Sequence, residues 1–164
     1  MTLHLLTQQS AYTHAMQLIA RAMRPDPPLW VDQWAEDHMR IPPDTGAAEP
    51  GPYRVARTPF AREVMRCLSP ERPCQRVVVM GASQLLKTQT FLNAALAWID
   101  GAPANIIALM PSGELAKRLS ARVDKTIKAI PRVAERVAKP RSRDARNTIN
   151  AKDFRGGTLF CLTA

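Results

Sequence analysis

Apolar positions along the chain switch between helical and strand-like patterns, and each change marks a different kind of element. From Gln8 to Met23 the apolar residues Ala11, Ala15, Leu18, Ile19 and Ala22 recur at helical spacing. Arg24-Pro25-Asp26-Pro27-Pro28 ends that helix, because proline lacks the N–H a helix interior needs. A second helix is expected over Leu29–His38, with Trp30 and Trp34 one turn apart. Ile41 to Arg57 is rich in Pro and Gly and predicts a loop laid over a scaffold. Thr58 reads as the cap of a third helix, with Pro59 at its first position and the run ending near Leu68.

The second half reads differently. Arg76-Val77-Val78-Val79-Met80 is apolar without alternation and ends at Gly81, the pattern of a strand buried on both faces. Lys87–Ile99 follows as a helix with Phe91, Leu92, Ala95, Leu96 and Ile99 on one side, and Gly101 lies just past its end. Asn105–Met110 is a second strand of the same buried kind. Ser112 is the expected cap of a further helix with the stripe Leu115, Leu119, Val123, Ile127 and Ile130. Thr158–Thr163 reads as a third strand. Strand, helix, strand, helix, strand predicts an α/β fold built on a parallel sheet with flanking helices. We divide the chain into a helical and Pro-rich N-terminal segment, 1–57, and an α/β unit, 58–164.

Composition narrows the classes. The 164 residues suffice for one domain with a core. There is no apolar run of about 18 residues, so no membrane span is expected. The N-terminus has no secretory pattern, and the expected address is the cytoplasm. Cys67, Cys74 and Cys161 have neither a disulfide-framework nor a metal-ligand spacing, and read as core or idle thiols. The net charge of +9 is uneven: Glu114 to Arg155 holds thirteen basic and five acidic residues, a net +8. Such a block suits a polyanion, with a solvated helix face and basic loop as the alternative. Candidate phosphate contacts there are Arg118, Arg122, Lys125, Arg141 and Arg143.

The chemistry is expected where the first strand meets its helix. Gly81-Ala82-Ser83-Gln84-Leu85-Leu86-Lys87-Thr88 has the outline of a phosphate-binding loop, with Leu86 standing at the usual second glycine. Backbone N–H groups at a helix start face phosphate oxygens, and the helix dipole favours the anion. Lys87 would reach the β- and γ-phosphates of ATP, and the Thr88 hydroxyl would ligate Mg²⁺.

Beyond that loop, a series of features resembles the large terminase subunit of lambda-like tailed bacteriophages. Trp34–Arg40 precedes Ile41-Pro42-Pro43 and Ala48-Glu49-Pro50-Gly51-Pro52-Tyr53. Arg57-Thr58-Pro59-Phe60 with Glu63 and Met65 follows, then the strand and loop with Gln84 and Lys87-Thr88. Pro111 and Ala116-Lys117-Arg118 come next, then Pro140–Asp144, Asn147-Thr148 and Phe154-Arg155-Gly156-Gly157. The resemblance implies an incomplete P-loop ATPase, the front part of a motor that uses ATP and Mg²⁺ to drive double-stranded DNA into a procapsid. It implies the small terminase subunit and the portal as partners, an oligomer in the complete motor, and Tyr53 or Phe60 stacked on adenine, with core packing as the other reading of both rings.

No apolar run ends in paired acids, so the Mg²⁺-holding acid strand and the nuclease of the family are expected to be missing. No catalytic base is nominated, and the chain by itself is expected to bind nucleotide weakly or not at all and to hydrolyse it poorly. Two other readings stay open: a non-catalytic basic piece that binds DNA or a partner, and an inactive prophage remnant.

Overall fold

The computed structural model describes residues 2–24, 27–45, 49–72, 74–82, 85, 87–137, 147–148 and 150–164. Helix α1 spans Thr2–Ala22, and its side chains from Ala11 onward are all exposed, so the expected apolar spacing there covers no core. Helix α2, Val31–His38, buries Val31, Trp34 and Ala35. The Pro-rich stretch after it carries a two-residue strand pair, β1 (Arg40–Ile41) against β2 (Gly51–Pro52), and single 3-10 turns at Pro43–Thr45 and Val55–Arg57.

Helix α3 covers Ala61–Cys67, two residues later than Thr58 capping predicts. The Thr58 hydroxyl is bonded to the Tyr53 hydroxyl at 2.7 Å, and the Thr58 carbonyl accepts from Ala61 N–H, so the chain turns before the helix instead of opening it.

Helix α4, Lys87–Gly101, is the hub. Leu92, Ala95, Leu96, Ala97 and Ile99 are buried, and so are the polar Gln89, Asn93 and Asp100. Those polar groups are paired: Gln89 Nε2 donates to Asn93 Oδ1 at 2.9 Å, and Asn93 Nδ2 meets Met65 Sδ at 3.3 Å. This satisfies groups that would otherwise cost the helix its desolvation penalty. One core joins Val31, Trp34, Met39, Tyr53 and Val55 to Met65, Leu96, Val123, Ile130 and Leu159, so it runs across residue 57.

Strand β3, Ile106–Met110, pairs in parallel with β6, Gly157–Thr163; β5, Ala151–Phe154, and β4, Asn147–Thr148, extend the sheet antiparallel in the order β3-β6-β5-β4. Helix α5, Gly113–Ala129, connects β3 toward β6 and packs on both. Ser112 caps it as expected, its hydroxyl accepting from Leu115 N–H at 3.3 Å. The buried stripe is Ala116, Leu119, Val123, Ile127 and, just past the helix, Ile130; Leu115 turns outward, 39% exposed. A one-turn helix α6, Pro131–Ala134, follows.

Gly157 permits the return into β6. A Cβ there would lie 2.8 Å from the Ala104 backbone and 3.0 Å from the Phe154 ring.

Three expectations need correction. Among the described residues the sheet is small and mixed, with one parallel pair in place of a parallel core. Arg76–Met80 is not a strand: Val78 is 77% and Met80 95% exposed, and no described strand pairs with it. Its β-branched run has strand preference only where cross-strand neighbours exist, and here it has none. Strand β3 is covered on one face alone. Ala108 is buried with its register partner Cys161, while Ile107 and Leu109 stand 61% and 62% exposed on the other side.

Candidate nucleotide-binding site

The region between α3, α4 and β3 forms a groove of about 1300 Å³. Its walls include Phe60, Cys67 and Leu68 from the α3 side, Val77 to Gly81 from the unpaired segment, and Ile106 and Ile107 from β3. From α4 come Lys87, Thr90, Phe91, Ala94, Ala95 and Trp98, one face of the helix at three- and four-residue steps. That periodicity is present in the sequence, yet Thr90 and Trp98 carry no motif and were not singled out. Trp98 is held by its own bond, Nε1 to the Leu68 carbonyl at 2.8 Å.

At one end of the groove, Lys87 folds back over the loop that precedes it. Its Nζ donates to the carbonyls of Gly81 at 3.0 Å and Ala82 at 3.2 Å. Lys87 is also the first residue of α4, so the amine, the loop backbone and the helix start converge. No acid lies in the first turn of α4 to oppose an anion. Gly81 has room beside it, its nearest neighbour being Leu85 at 3.5 Å from where a Cβ would stand. Leu85 lines the groove too, and Thr88 is exposed in the helix's first turn without forming a groove wall. Ser83, Gln84 and Leu86 lie outside the described residues.

The two candidate rings separate. Phe60 is 56% exposed and lines the groove. Tyr53 is 4% exposed, belongs to the core and bonds Thr58, the arrangement of the core-packing reading of its ring.

The basic block is less available than its count implies. Arg132 Nε and Arg136 Nε lie 2.6 Å and 3.0 Å from the buried carboxylate of Asp100. Lys152 is itself buried and bonds Asp124 at 2.8 Å. Among the candidate phosphate contacts, Arg118 pairs with Glu114 one turn away, and Lys125 bonds both the carboxylate of Asp44 at 2.9 Å and its carbonyl at 3.0 Å. That bond is the main reason the Asp44 carboxyl sits below its ordinary value. Arg122 is half-buried on α5. Arg141 and Arg143 lie outside the described residues.

Residues 47–164 match the family model described as phage terminase large subunit gpA, ATPase domain. The chain belongs to that family. Neither a curated protein nor a solved structure matches it. The terminase ATPase domain is a component of an ATP-driven DNA-packaging motor, and the matched span contains the whole groove and the loop at its end. No described helix of this terminase chain is long and apolar enough to cross a membrane.

Proposed function

We propose that this terminase domain binds ATP with Mg²⁺ at the Gly81–Thr88 loop and uses the groove beside it to hold the nucleotide. The observation that carries the reading is the Lys87 amine seated on the Gly81 and Ala82 carbonyls. A cation positioned there needs only to exchange two carbonyls for phosphate oxygens. The residues fit the group: a lysine over the loop, a hydroxyl one residue on, and an acid-free helix start. Lys87 would pair with the β- and γ-phosphates, Thr88 would ligate the metal, and Phe60 would stack on the base at the groove wall. The metal, when bound, neutralises charge on the phosphates. The chain's own residues bind and orient.

The hydrolysis would be coupled to movement of double-stranded DNA into a procapsid, with the small terminase subunit and the portal as partners. Exposed basic residues of α5, Lys117 and Arg118 among them, would meet DNA phosphates.

Titration with a fluorescent ATP analogue in the presence of Mg²⁺ tests the site. Lys87→Ala is expected to weaken binding at least about tenfold, since one charged contact is worth roughly 1.5–3 kcal/mol. DNA binding should be unchanged. Equal nucleotide affinity in the two proteins would overturn the assignment.

A further inference from the structure

Two of the three cysteines line the groove together, although their sequence spacing suggests no pairing. After α3 the chain reverses through consecutive turns, Ser69 N–H to the Arg66 carbonyl and Arg72 N–H to the Ser69 carbonyl, both at 3.1 Å. The Ser69 hydroxyl pins the start of the reversal to the Met65 carbonyl at 3.0 Å. Cys74 follows shortly after this reversal, both cysteines line the same groove, and Cys74 is near enough to act on the Cys67 thiol. Their surroundings are polar: Cys67 Sγ lies 3.8 Å from Glu63 Oε1, which in turn lies 3.6 Å from Arg72. Cys74 is exposed, Cys67 half-buried, and Cys161 fully buried on β6.

We propose that Cys67 and Cys74 are a reversible dithiol–disulfide pair, oxidised by exchange with a low-molecular-weight disulfide such as glutathione disulfide. The exposed Cys74 thiolate attacks one sulfur of glutathione disulfide, whose S–S bond breaks and releases one glutathione thiolate. Cys67 then loses its proton toward the Glu63 carboxylate and attacks the Cys74 sulfur, and the second glutathione thiolate leaves. Two electrons pass from the cysteines to the glutathione disulfide, and the two protons end on the two glutathione thiols. The order follows from the environment. Cys74 is exposed and meets the glutathione disulfide first, while the half-buried Cys67 is the resolving partner; its thiol is also held above its ordinary range, chiefly by Cys74 and then by burial.

The position of the bond gives it a consequence. Cys74 is two residues before Arg76, where the unpaired run Val77–Met80 that feeds Gly81 begins. A Cys67–Cys74 bond ties the entry of that run to α3 and fixes one wall of the groove. The proposal does not depend on what the groove binds.

The test uses the full chain, equilibrated with glutathione disulfide, alkylated and digested with trypsin. Trypsin does not cut between Arg72 and Pro73, so both cysteines fall in one peptide, Cys67–Arg76. The expected product is that peptide two hydrogens lighter, restored by dithiothreitol, with Cys161 still alkylated as a free thiol. In Cys67→Ser, Cys74 should instead stop as the glutathione mixed disulfide. A wild-type peptide that stays reduced, stays glutathionylated, or forms a dimer linked through Cys74 would overturn the pairing. Hydrogen exchange then tests the tether: the amides of residues 74–82 should exchange severalfold more slowly after oxidation, and unchanged exchange would refute the anchoring of the groove wall.

Discussion

Trp34 on α2 donates its indole N–H to Asp100 at the end of α4, 2.7 Å away and 66 positions later in sequence. The same carboxylate lies 2.6 Å from Arg132 and 3.0 Å from Arg136, and it is 2% exposed. Its Oδ1 has no hydrogen bond of good geometry, so the Arg136 contact is an ion pair only. One buried charge therefore ties α2, α4 and the α6 region together.

Removing that charge should be costly. Breaking a buried pair by deleting one partner typically costs 3–5 kcal/mol. Both arginines are partly exposed and rehydrate, so Asp100→Ala should lose about 3 kcal/mol in urea unfolding. Trp34→Phe deletes the donor and replaces the buried indole by a smaller phenyl, for an expected loss of about 2–4 kcal/mol. A loss under half a kcal/mol for Asp100→Ala, roughly the surface-substitution scale, would contradict this account.

Phe60 and Tyr53 should part company in the same two assays. Stacking of a base on an aromatic is worth about 1–3 kcal/mol, so Phe60→Ala should weaken binding of an ATP analogue about tenfold. Its exposure predicts little change in stability. Tyr53→Phe deletes the bond to Thr58 and should cost about 1 kcal/mol of stability with nucleotide affinity unchanged. The reverse pattern would place the base elsewhere in the groove.

How much of this was legible follows from what each residue needs. Helices α4 and α5 carry their burial in local periodicity, and the Ser112 cap is a three-residue interaction, so both were readable. The loop from Gly81 to Thr88 was readable as a motif, and the structure adds the Lys87 amine on the Gly81 and Ala82 carbonyls, which no motif states. Arg76–Met80 was misread because apolar, β-branched residues report a preference for a sheet, not the presence of neighbouring strands. The groove's other walls were hidden because Phe60, Cys74 and Ile107 meet only through tertiary packing. Pairing within the basic block was hidden for a similar reason: charge counting cannot see Asp100 holding Arg132 and Arg136 in ion pairs, or Asp124 holding Lys152.

The salt dependence of DNA binding measures what remains of that block. On α5, Arg118 is exposed and its partner Glu114 is one turn away in solvent, so a phosphate can replace it readily. Arg118→Ala combined with Arg122→Ala removes two candidate contacts. The slope of log affinity against log salt for a duplex should fall by about 1.8, at roughly 0.9 per phosphate. If affinity falls with the slope unchanged, these residues act through structure and not through phosphates.

Alkaline pH should weaken the fold through Cys161. Burial on β6 raises its thiol above the ordinary range; nearby Lys152 opposes this and Asp124 adds to it. A raised folded value means that the neutral thiol's contribution is fully present below the unfolded value. It is lost as pH rises through the folded one, because the unfolded chain ionises first. Stability measured by urea in the presence of a reductant should therefore decline across the alkaline range. Cys67 is raised as well, chiefly by its bond to Cys74, and would add to the decline. Measurement in a Cys67→Ser background isolates Cys161: adding Cys161→Ala should flatten the remaining alkaline slope, whatever it costs at neutral pH. A slope that survives both substitutions would assign the alkaline sensitivity to some other group.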